Sequence, residues 1–180
     1  MMFDLRVLAL AVLAAVPPGP DSARDGRDPA PLEFHGFRAG ARLDELDAVV
    51  GGFAARLRCD RAKADRRVTE CRARLDHPEL GGATELWLSA IDSVAGVITI
   101  SGPVDAKRLD RWRQTLVLRY GRVDPRAQGT QRTMQWVRQG RMLRLTWRVD
   151  GARTVASVSL VDGRVLDAWG QSKPEGASMR

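Results

Sequence analysis

Two segments of this chain carry the same residue pattern at a separation of seventy positions. Shifting Gly81–Val97 by that distance lays it over Gly151–Asp167, and both segments follow an amphipathic helical stretch. The identical pairs are Gly81/Gly151, Thr84/Thr154, Ser89/Ser159 and Asp92/Asp162. A repeated helix-plus-strands unit, over about 34–101 and 102–170, predicts a single α+β domain in which an antiparallel sheet packs against two helices.

A glycine turn in the second half predicts how two strands pair. Glycine accepts a positive φ without a steric penalty, so Gln139-Gly140 suits a two-residue hairpin. This turn places Trp136 opposite Leu143, and the apolar side chains of both strands then share one face. A half-buried antiparallel sheet requires that alternation.

A second glycine turn, at Asp150-Gly151, extends the same sheet. It places Leu145 opposite Ala156, so the apolar face continues onto a third strand. The third candidate, Asp162-Gly163, breaks the alternation, because a hairpin there would place Val158 opposite a charged residue. We therefore expect a β-bulge or a different type of turn at this third position.

One helix is predicted near the start of the domain, which we expect to begin at residue 34. Leu43, Leu46 and Val50 recur at helical spacing, and acidic residues occupy the first turn, where the helix dipole favours them. The following Gly51-Gly52 is expected to end or fray this helix.

A second helix is predicted at the start of the second half. Pro103 suits the first helical position, with Ser101 or Gly102 as its cap. Gly121 is expected to end the helix. The apolar residues that line one face between these ends are Leu109, Trp112, Leu116 and Tyr120.

The N-terminal residues have the pattern of a secretory signal. Arg6 precedes the apolar run Val7–Val16, which is shorter than the ~20 residues of a membrane span but suits a signal peptide. We predict a signal peptide over 1–23, a disordered linker over 24–33 and a disordered tail over 171–180. The mature chain would then be periplasmic or secreted and have no transmembrane span. A buried N-terminal helix is the alternative.

The two cysteines are compatible with export. Cys59 and Cys71 lie symmetrically about Asp65, and Arg58 and Arg72 flank them in the same symmetry. This arrangement predicts a β-hairpin with opposed cysteines, although a longer loop is equally allowed. In an oxidising compartment a disulfide that closes so short a loop would add about 3 kcal/mol of stability.

The chain is strongly basic, and its basic residues are almost all arginine. The formal net charge is +7, and all but three of the 29 Lys and Arg residues are Arg. Arginine binds oxyanions through a planar fork and stacks on aromatic rings, so acidic or phosphate-rich partners are compatible with this composition. A GC-rich genome that encodes Arg in place of Lys explains the same composition without any partner.

The face of the predicted sheet opposite the apolar residues is the candidate binding surface. Arg144 and Arg148 lie on this face, and the seventy-residue offset places Trp87 there as well. The alternative is a solvated face on which the linker or the C-terminal tail covers Trp87. The tryptophans in phase with apolar neighbours are instead predicted to lie in the core: Trp112, Trp136 and Trp147.

The segment Gly40–Leu46 followed by Gly51, with Tyr120-Gly121 at the end of the second helix, resembles the repeats of two exported families. These are the β-lactamase-inhibitor-protein-like tandem repeats and the SmpA/OmlA (BamE-like) domains. The resemblance implies an extracytoplasmic α+β binding module whose exposed sheet face docks a partner. The sequence lacks a lipobox cysteine near the signal, so the lipid anchor typical of BamE-like proteins is not expected.

The sequence shows no catalytic constellation. A glycine-rich phosphate loop and a Gly-x-Ser-x-Gly elbow are both missing. His35 and His77 are far apart and solitary, so neither a metal nor a cofactor is predicted. Asp92, Asp162 and Asp167 lie near strand ends, where carboxylates could do acid–base work. For Asp92 and Asp162, however, Asp before Ser or Gly is ordinary turn chemistry.

These observations predict an exported, non-enzymatic binding or envelope-assembly protein. Trp87, Arg144 and Arg148 would contact an acidic or protein partner. The alternatives are an enzyme of unknown class acting on an extracytoplasmic substrate, with no catalytic residue assigned, and a protein that binds an anionic lipid or polymer. Nucleic acid is not an expected partner, because the arginines are scattered along the chain and an exported protein seldom meets it.

Overall fold

A computed structural model describes residues 30–171, and its compact unit begins at Pro31. The predicted signal peptide, the predicted linker up to residue 29 and the predicted tail from residue 172 lie outside the described residues. The elements in chain order are α1 (Leu43–Gly52), β1 (Arg58–Arg61), β2 (Val68–His77), a 3₁₀ turn (Pro78–Leu80), β3 (Gly82–Ile91), β4 (Val94–Val104), α2 (Ala106–Tyr120), β5 (Arg126–Gln128), β6 (Gln131–Arg138), β7 (Arg141–Asp150), β8 (Arg153–Asp162) and α3 (Gly163–Gln171).

The eight strands form one antiparallel sheet in the order β1-β2-β3-β4-β8-β7-β6-β5. The predicted α+β class, with an antiparallel sheet packed against helices, is therefore confirmed. The described residues contain three α-helices, whereas the sequence predicted two. The additional helix is α3, which follows the last strand of the sheet.

The two halves of the domain follow the same order of elements. Each half begins with a helix and continues with four strands, and the last strands, β4 and β8, pair at the centre of the sheet. The seventy-residue offset lays β3 over β8, whereas the order of elements matches β4 with β8. That offset therefore aligns strands that hold different places in the two halves, and the duplication itself stays a prediction.

One face of the sheet is buried and the other is partly exposed. We call them the inner and outer faces. Side chains alternate along each strand, as in Leu86 and Leu88 inward with Trp87 outward between them. The helices α1 and α2 cover the inner face, and their buried residues belong to the same core cluster as the inner residues of the strands. This core includes the tryptophans predicted to lie there: Trp112, Trp136 and Trp147.

The register of the β6–β7 hairpin is as predicted, and that of β7–β8 is not. Trp136 pairs with Leu143 across the first hairpin. Across the second, Leu145 pairs with Val158, two residues beyond the predicted Ala156. The last pair of these strands is Asp150 with Arg153, so the turn comprises Gly151 and Ala152 rather than Asp150-Gly151. Because a shift of two residues keeps every side chain on its face, the predicted faces remain correct.

Asp162-Gly163, where we expected a bulge or a different type of turn, is a strand-to-helix junction. β8 ends at Asp162 and α3 begins at Gly163. The Asp162 carboxylate accepts a hydrogen bond from the Arg164 backbone N–H at 3.1 Å, as a helix cap does. A register shift that the sequence did not predict lies between Ser89 and Ala90 on β3. On β4, Gly96 lies under α3, and a Cβ there would come within 2.9 Å of Leu166.

The helix α2 begins later than the sequence predicted. Pro103 and Gly102 belong to β4, where they pair with residues of β8. The cap is Asp105, whose carboxylate accepts a hydrogen bond from the Arg108 N–H at 2.7 Å. An aspartate cap is as favourable as a serine cap, so the central sheet pairing decides where the helix starts. Gly121 ends α2 as predicted.

The fold starts before residue 34, so the predicted linker is shorter by at least three residues. Leu32 is buried in the core. The Tyr120 hydroxyl accepts a hydrogen bond from the Glu33 N–H at 2.8 Å. It can donate its own proton to the carbonyl of Glu33 at 2.9 Å or of Pro31 at 3.1 Å. These bonds fasten the entering chain to the end of α2.

The predicted disulfide is present. Cys59 and Cys71 face each other in the β1–β2 hairpin and are bonded, with their Cα atoms 4.0 Å apart. The pairing of Arg58 with Arg72 is as the sequence symmetry predicted. Cys71 is fully buried, so the disulfide attaches the edge strand β1 to the core.

Replacing both cysteines with alanine is expected to lower the free energy of unfolding by about 2–4 kcal/mol, because the bridge restrains the unfolded chain. Urea denaturation of the wild type and of the Cys59→Ala/Cys71→Ala variant measures the difference. Dithiothreitol should destabilise the wild type by a similar amount and leave the variant unchanged. A wild type whose midpoint is insensitive to reductant would contradict the expected contribution.

Candidate functional site

The outer face presents its residues in rows that cross the strands. One row runs from Arg72 through Trp87, Thr99 and Ser159 to Arg144. The structure therefore places Trp87 and Arg144 in one row, three strand spacings apart. Neighbouring strands are about 4.8 Å apart, so the two residues are about 14 Å apart along the sheet.

The middle of the outer face consists of small hydroxyl residues. They are partly exposed and belong to β4, β7 and β8: Thr99, Ser101, Thr146, Ser157 and Ser159. The Thr99 and Ser159 hydroxyls approach each other at 3.5 Å. This strip, which we call the hydroxyl strip, offers donors and acceptors to an extended ligand without bulky side chains in the way.

Arg144 and Arg148 lie on β7 at the far side of the hydroxyl strip from Trp87. Both are exposed. The Arg144 Nε donates a hydrogen bond to the Gln135 side chain at 3.0 Å. Neither arginine forms an ion pair with any residue between 30 and 171. The structure therefore leaves their charges available but does not bring them into contact with Trp87.

A denser group of arginines, which the sequence reasoning missed, lies on the other side of Trp87. A depression of about 600 Å³ at the β1–β2 edge is lined by four arginines, which we call the β2 arginine cluster: Arg56, Arg58, Arg72 and Arg74. Glu85 is the one acidic residue in its lining. Within the described part of the chain, none of the four arginines forms an ion pair. Arg72 pairs directly across from Trp87.

The sequence held part of the signal for this cluster. The hairpin symmetry already set Arg58 opposite Arg72, and strand alternation then places Arg74 on the same face. The missing step was the pairing of β2 with β3, which brings Arg72 beside Trp87. A 3₁₀ turn over Pro78–Leu80 followed by Gly81 joins these strands, and this connection is not one of the two-residue glycine turns from which register was predicted.

Of the three candidate carboxylates, Asp162 is the one that is buried and paired. The Arg141 Nε donates to it at 2.7 Å, and the Arg164 guanidinium donates at 3.0 and 3.1 Å. Burial favours the protonated acid, but the hydrogen bonds and charges of the two arginines outweigh it and lower the pKa of Asp162. A carboxylate held ionised in this way is suited to capping α3 rather than to acid–base catalysis near neutral pH.

The other two carboxylates do not complete a catalytic group. Asp92 and Ser93 both have positive φ, at 49° and 67°, in the tight turn between β3 and β4. Asp92 lines a depression of about 520 Å³ together with Asp162, whereas Asp167 is exposed on α3 and does not line it. The turn interpretation of Asp92 therefore agrees with its backbone conformation.

The two histidines, which are far apart in the sequence, both lie beside Glu79. The His35 Nδ1 is 3.6 Å from the Glu79 carboxylate, and the His77 Nδ1 accepts a hydrogen bond from the Glu79 N–H at 3.3 Å. The prediction that the two histidines are far apart and solitary is therefore wrong, because the fold brings both of them to Glu79. Burial lowers the pKa of His35, with Glu79 opposing and His77 reinforcing that shift. Over residues 30–171, no three His, Cys, Asp or Glu side chains group as metal ligands do.

Comparisons with known proteins identify no relative. No protein-family model, curated protein or solved structure matches this chain. The resemblance to the β-lactamase-inhibitor-protein-like and BamE-like domains therefore stays a prediction. Among the helices within residues 30–171, none is long and apolar enough to span a membrane.

The β1–β2 loop that carries Asp65 is fastened to α3. The Asp65 carboxylate accepts hydrogen bonds from the Trp169 indole at 2.8 Å and from the Arg67 N–H at 2.9 Å. The bond from Trp169, followed by those from Arg67, lowers the pKa of Asp65 from 3.8 to about 2.

Because the folded pKa of Asp65 is depressed, its contribution to stability is present above pH ~4 and is lost as the pH falls from ~4 to ~2. We expect Asp65→Asn to destabilise the protein at pH 6 and to match the wild type at pH 2. Urea denaturation across this range measures the difference. The matched control is Asp124→Asn, an exposed carboxylate without a described partner, whose difference from wild type should not follow this course. An Asp65→Asn deficit that is constant with pH would contradict the assignment.

Proposed function

We propose that this protein is an exported, non-enzymatic binding protein that docks an acidic partner on the outer face of its sheet. The observation that carries the proposal is the β2 arginine cluster. Four arginines share one depression with a single glutamate, and none of them has an ion-pair partner among residues 30–171. Like charges held close together repel one another, and an anionic partner removes that repulsion.

The layout of the outer face supports an extended partner rather than a small anion. The row from Arg72 to Arg144 crosses four strand spacings, about 19 Å. Trp87 lies beside Arg72 at one end of the row and offers an aromatic surface, and the hydroxyl strip lies between it and Arg144. An acidic protein segment or an anionic envelope polymer could contact the β2 arginine cluster, the strip and the β7 arginines together.

Two features support an extracytoplasmic location. The Cys59–Cys71 disulfide suits an oxidising compartment, where such bonds form and persist. The apolar run Val7–Val16 behind Arg6 has the composition of a secretory signal. Both agree with an envelope role, and both are independent of the charge argument.

Replacing two arginines of the cluster is expected to weaken binding to a polyanion. Poly-L-glutamate labelled with a fluorophore provides the probe, and its anisotropy reports binding at low ionic strength. The Arg72→Gln/Arg74→Gln variant should bind about five- to tenfold more weakly, with the difference shrinking as salt is added. The matched control, Lys107→Gln/Arg132→Gln, removes the same net charge from exposed sites outside the outer face.

Equal losses in the variant and its control would show that only net charge matters and would contradict a site at the cluster. Vesicles that contain phosphatidylglycerol form a second arm of the same experiment. If the variant loses affinity for the vesicles and not for poly-L-glutamate, the partner is an anionic lipid surface instead.

The arginines of β7 are expected to matter for long probes and not for short ones. The Arg144→Ser/Arg148→Ser variant should weaken binding of poly-L-glutamate but leave tetraglutamate unaffected, because only a long chain reaches from the β2 arginine cluster to β7. Its thermal midpoint should stay near that of the wild type, since Arg144 makes only surface contacts and Arg148 makes no hydrogen bond or ion pair within residues 30–171. A large loss of stability would show that these arginines are structural.

A further inference from the structure

A second concave site lies along α2, the helix that covers the inner face of the sheet. It is a groove of about 510 Å³ between α2, the entering segment at Phe34-His35 and the 3₁₀ turn at Pro78-Glu79. Its floor is apolar: Phe34 and Trp112 are buried edge to face, with ring centroids 5.0 Å apart. The Trp112 indole donates a hydrogen bond to the Glu79 carbonyl at 3.1 Å, which links the floor of the groove to the 3₁₀ turn.

One wall of the groove is basic. Arg108, Arg111 and Arg119 all line it, and their spacings of three and eight residues place them on one side of α2. Arg119 is loosely paired with Glu33 at 3.5 Å. The Arg108 Nε is buried without a hydrogen-bond acceptor, 3.8 Å from the nearest Asp105 oxygen. Arg111 is exposed and has no ion pair within residues 30–171.

The facing wall balances only part of this charge. It carries two carboxylates against the three arginines: Glu33, which is paired with Arg119, and Glu79, whose carboxylate lies 3.6 Å from the His35 Nδ1. Burial lowers the pKa of His35, which favours the neutral imidazole. His35 is held at φ 48° in the turn between Phe34 and Phe37, whose backbones bond to each other at 2.9 Å in both directions. The groove therefore combines an apolar floor with the guanidinium of Arg111, which has no ion-pair partner within residues 30–171.

We propose that this groove binds a small carboxylate with an apolar body. The body would lie along the groove over Phe34 and Trp112, and the carboxylate would accept hydrogen bonds from the exposed guanidinium of Arg111. Sites of a few hundred Å³ with an apolar lining and a few convergent polar groups are typical of small-molecule binding. A charge-assisted hydrogen bond from an arginine both orients such a ligand and selects it by charge. The proposal is independent of the docking on the outer face, because α2 covers the opposite face of the sheet.

Octanoate is the probe for this site, with titration calorimetry as the measurement. We expect octanoate to bind at least about tenfold more tightly than octan-1-ol, which has the same body without the charge. Acetate, which has the charge without the body, should not bind detectably. Octanol binding as tightly as octanoate, or an absence of octanoate binding at millimolar concentration, would overturn the proposal.

Two variants locate the site. Arg111→Gln should weaken octanoate binding about fivefold or more without loss of stability, because Arg111 is exposed and makes no ion pair within the described residues. Lys107→Gln removes the same charge from an exposed position on the same helix outside the groove lining, and it should bind octanoate like the wild type. Equal affinities for wild type and Arg111→Gln would overturn the assignment.

Nuclear magnetic resonance provides an independent readout of position. Octanoate should shift the indole N–H resonance of Trp112, which is in the floor of the groove, and leave that of Trp87 on the outer face unchanged. A shift confined to Trp87 would place the ligand on the sheet and would overturn the groove proposal. This titration does not depend on the outer face, so either proposal can be wrong without affecting the other.

Discussion

The pairing of β4 with β8 is the contact on which the rest of the structure depends. These are the last strands of the two halves, and their ladder runs from Val97–Val161 to Val104–Thr154. Its inner pairs Ile98–Leu160 and Ile100–Val158 are fully or almost fully buried. The ladder thereby makes one continuous apolar surface from two four-stranded halves, and α1 and α2 both pack on it. A slip of one residue would turn that apolar row to the outer face, so burial itself maintains the register.

This single sheet has two unlike sides, and each side carries a candidate site for a different class of ligand. On the outer face, the row from Arg72 to Arg144 is exposed or partly exposed, and small hydroxyl residues lie there between two groups of arginines. The inner face is covered by helices, and a concave site lies there where α2 meets the entering chain beside Phe34. A polyanion suits the first surface because its charges are spread over about 19 Å. A small amphipathic carboxylate suits the second because its charges surround an apolar floor.

Features governed by contacts close in sequence could be predicted. Cys59 lies opposite Cys71, and Trp136 lies opposite Leu143, because hairpin symmetry and a glycine turn define both pairs. Features governed by competition between local signals could not. Pro103 is a good first residue for a helix, but its strand pairs with β8, and Asp105 caps α2 instead. The turn after β7 lies one residue beyond the predicted glycine pair, which changes the partner of Leu145 by two residues and leaves its face unchanged. Asp162-Gly163 resembles a hairpin turn and yet caps a helix.

The sequence by itself determined which faces of α1, α2 and the β6–β8 strands are buried, where the disulfide forms and that the sheet is antiparallel, because strand alternation and helical spacing are local properties. Only the tertiary structure decided which charges share a surface. Arg72 meets Trp87 because β2 pairs with β3 through a 3₁₀ turn, and the groove of Arg111 exists because the Tyr120 hydroxyl holds the chain at Glu33 against α2. Both contacts join elements that are separated in the chain. Periodicity in the sequence predicts which face of an element is buried, but it does not predict which other element packs beside it.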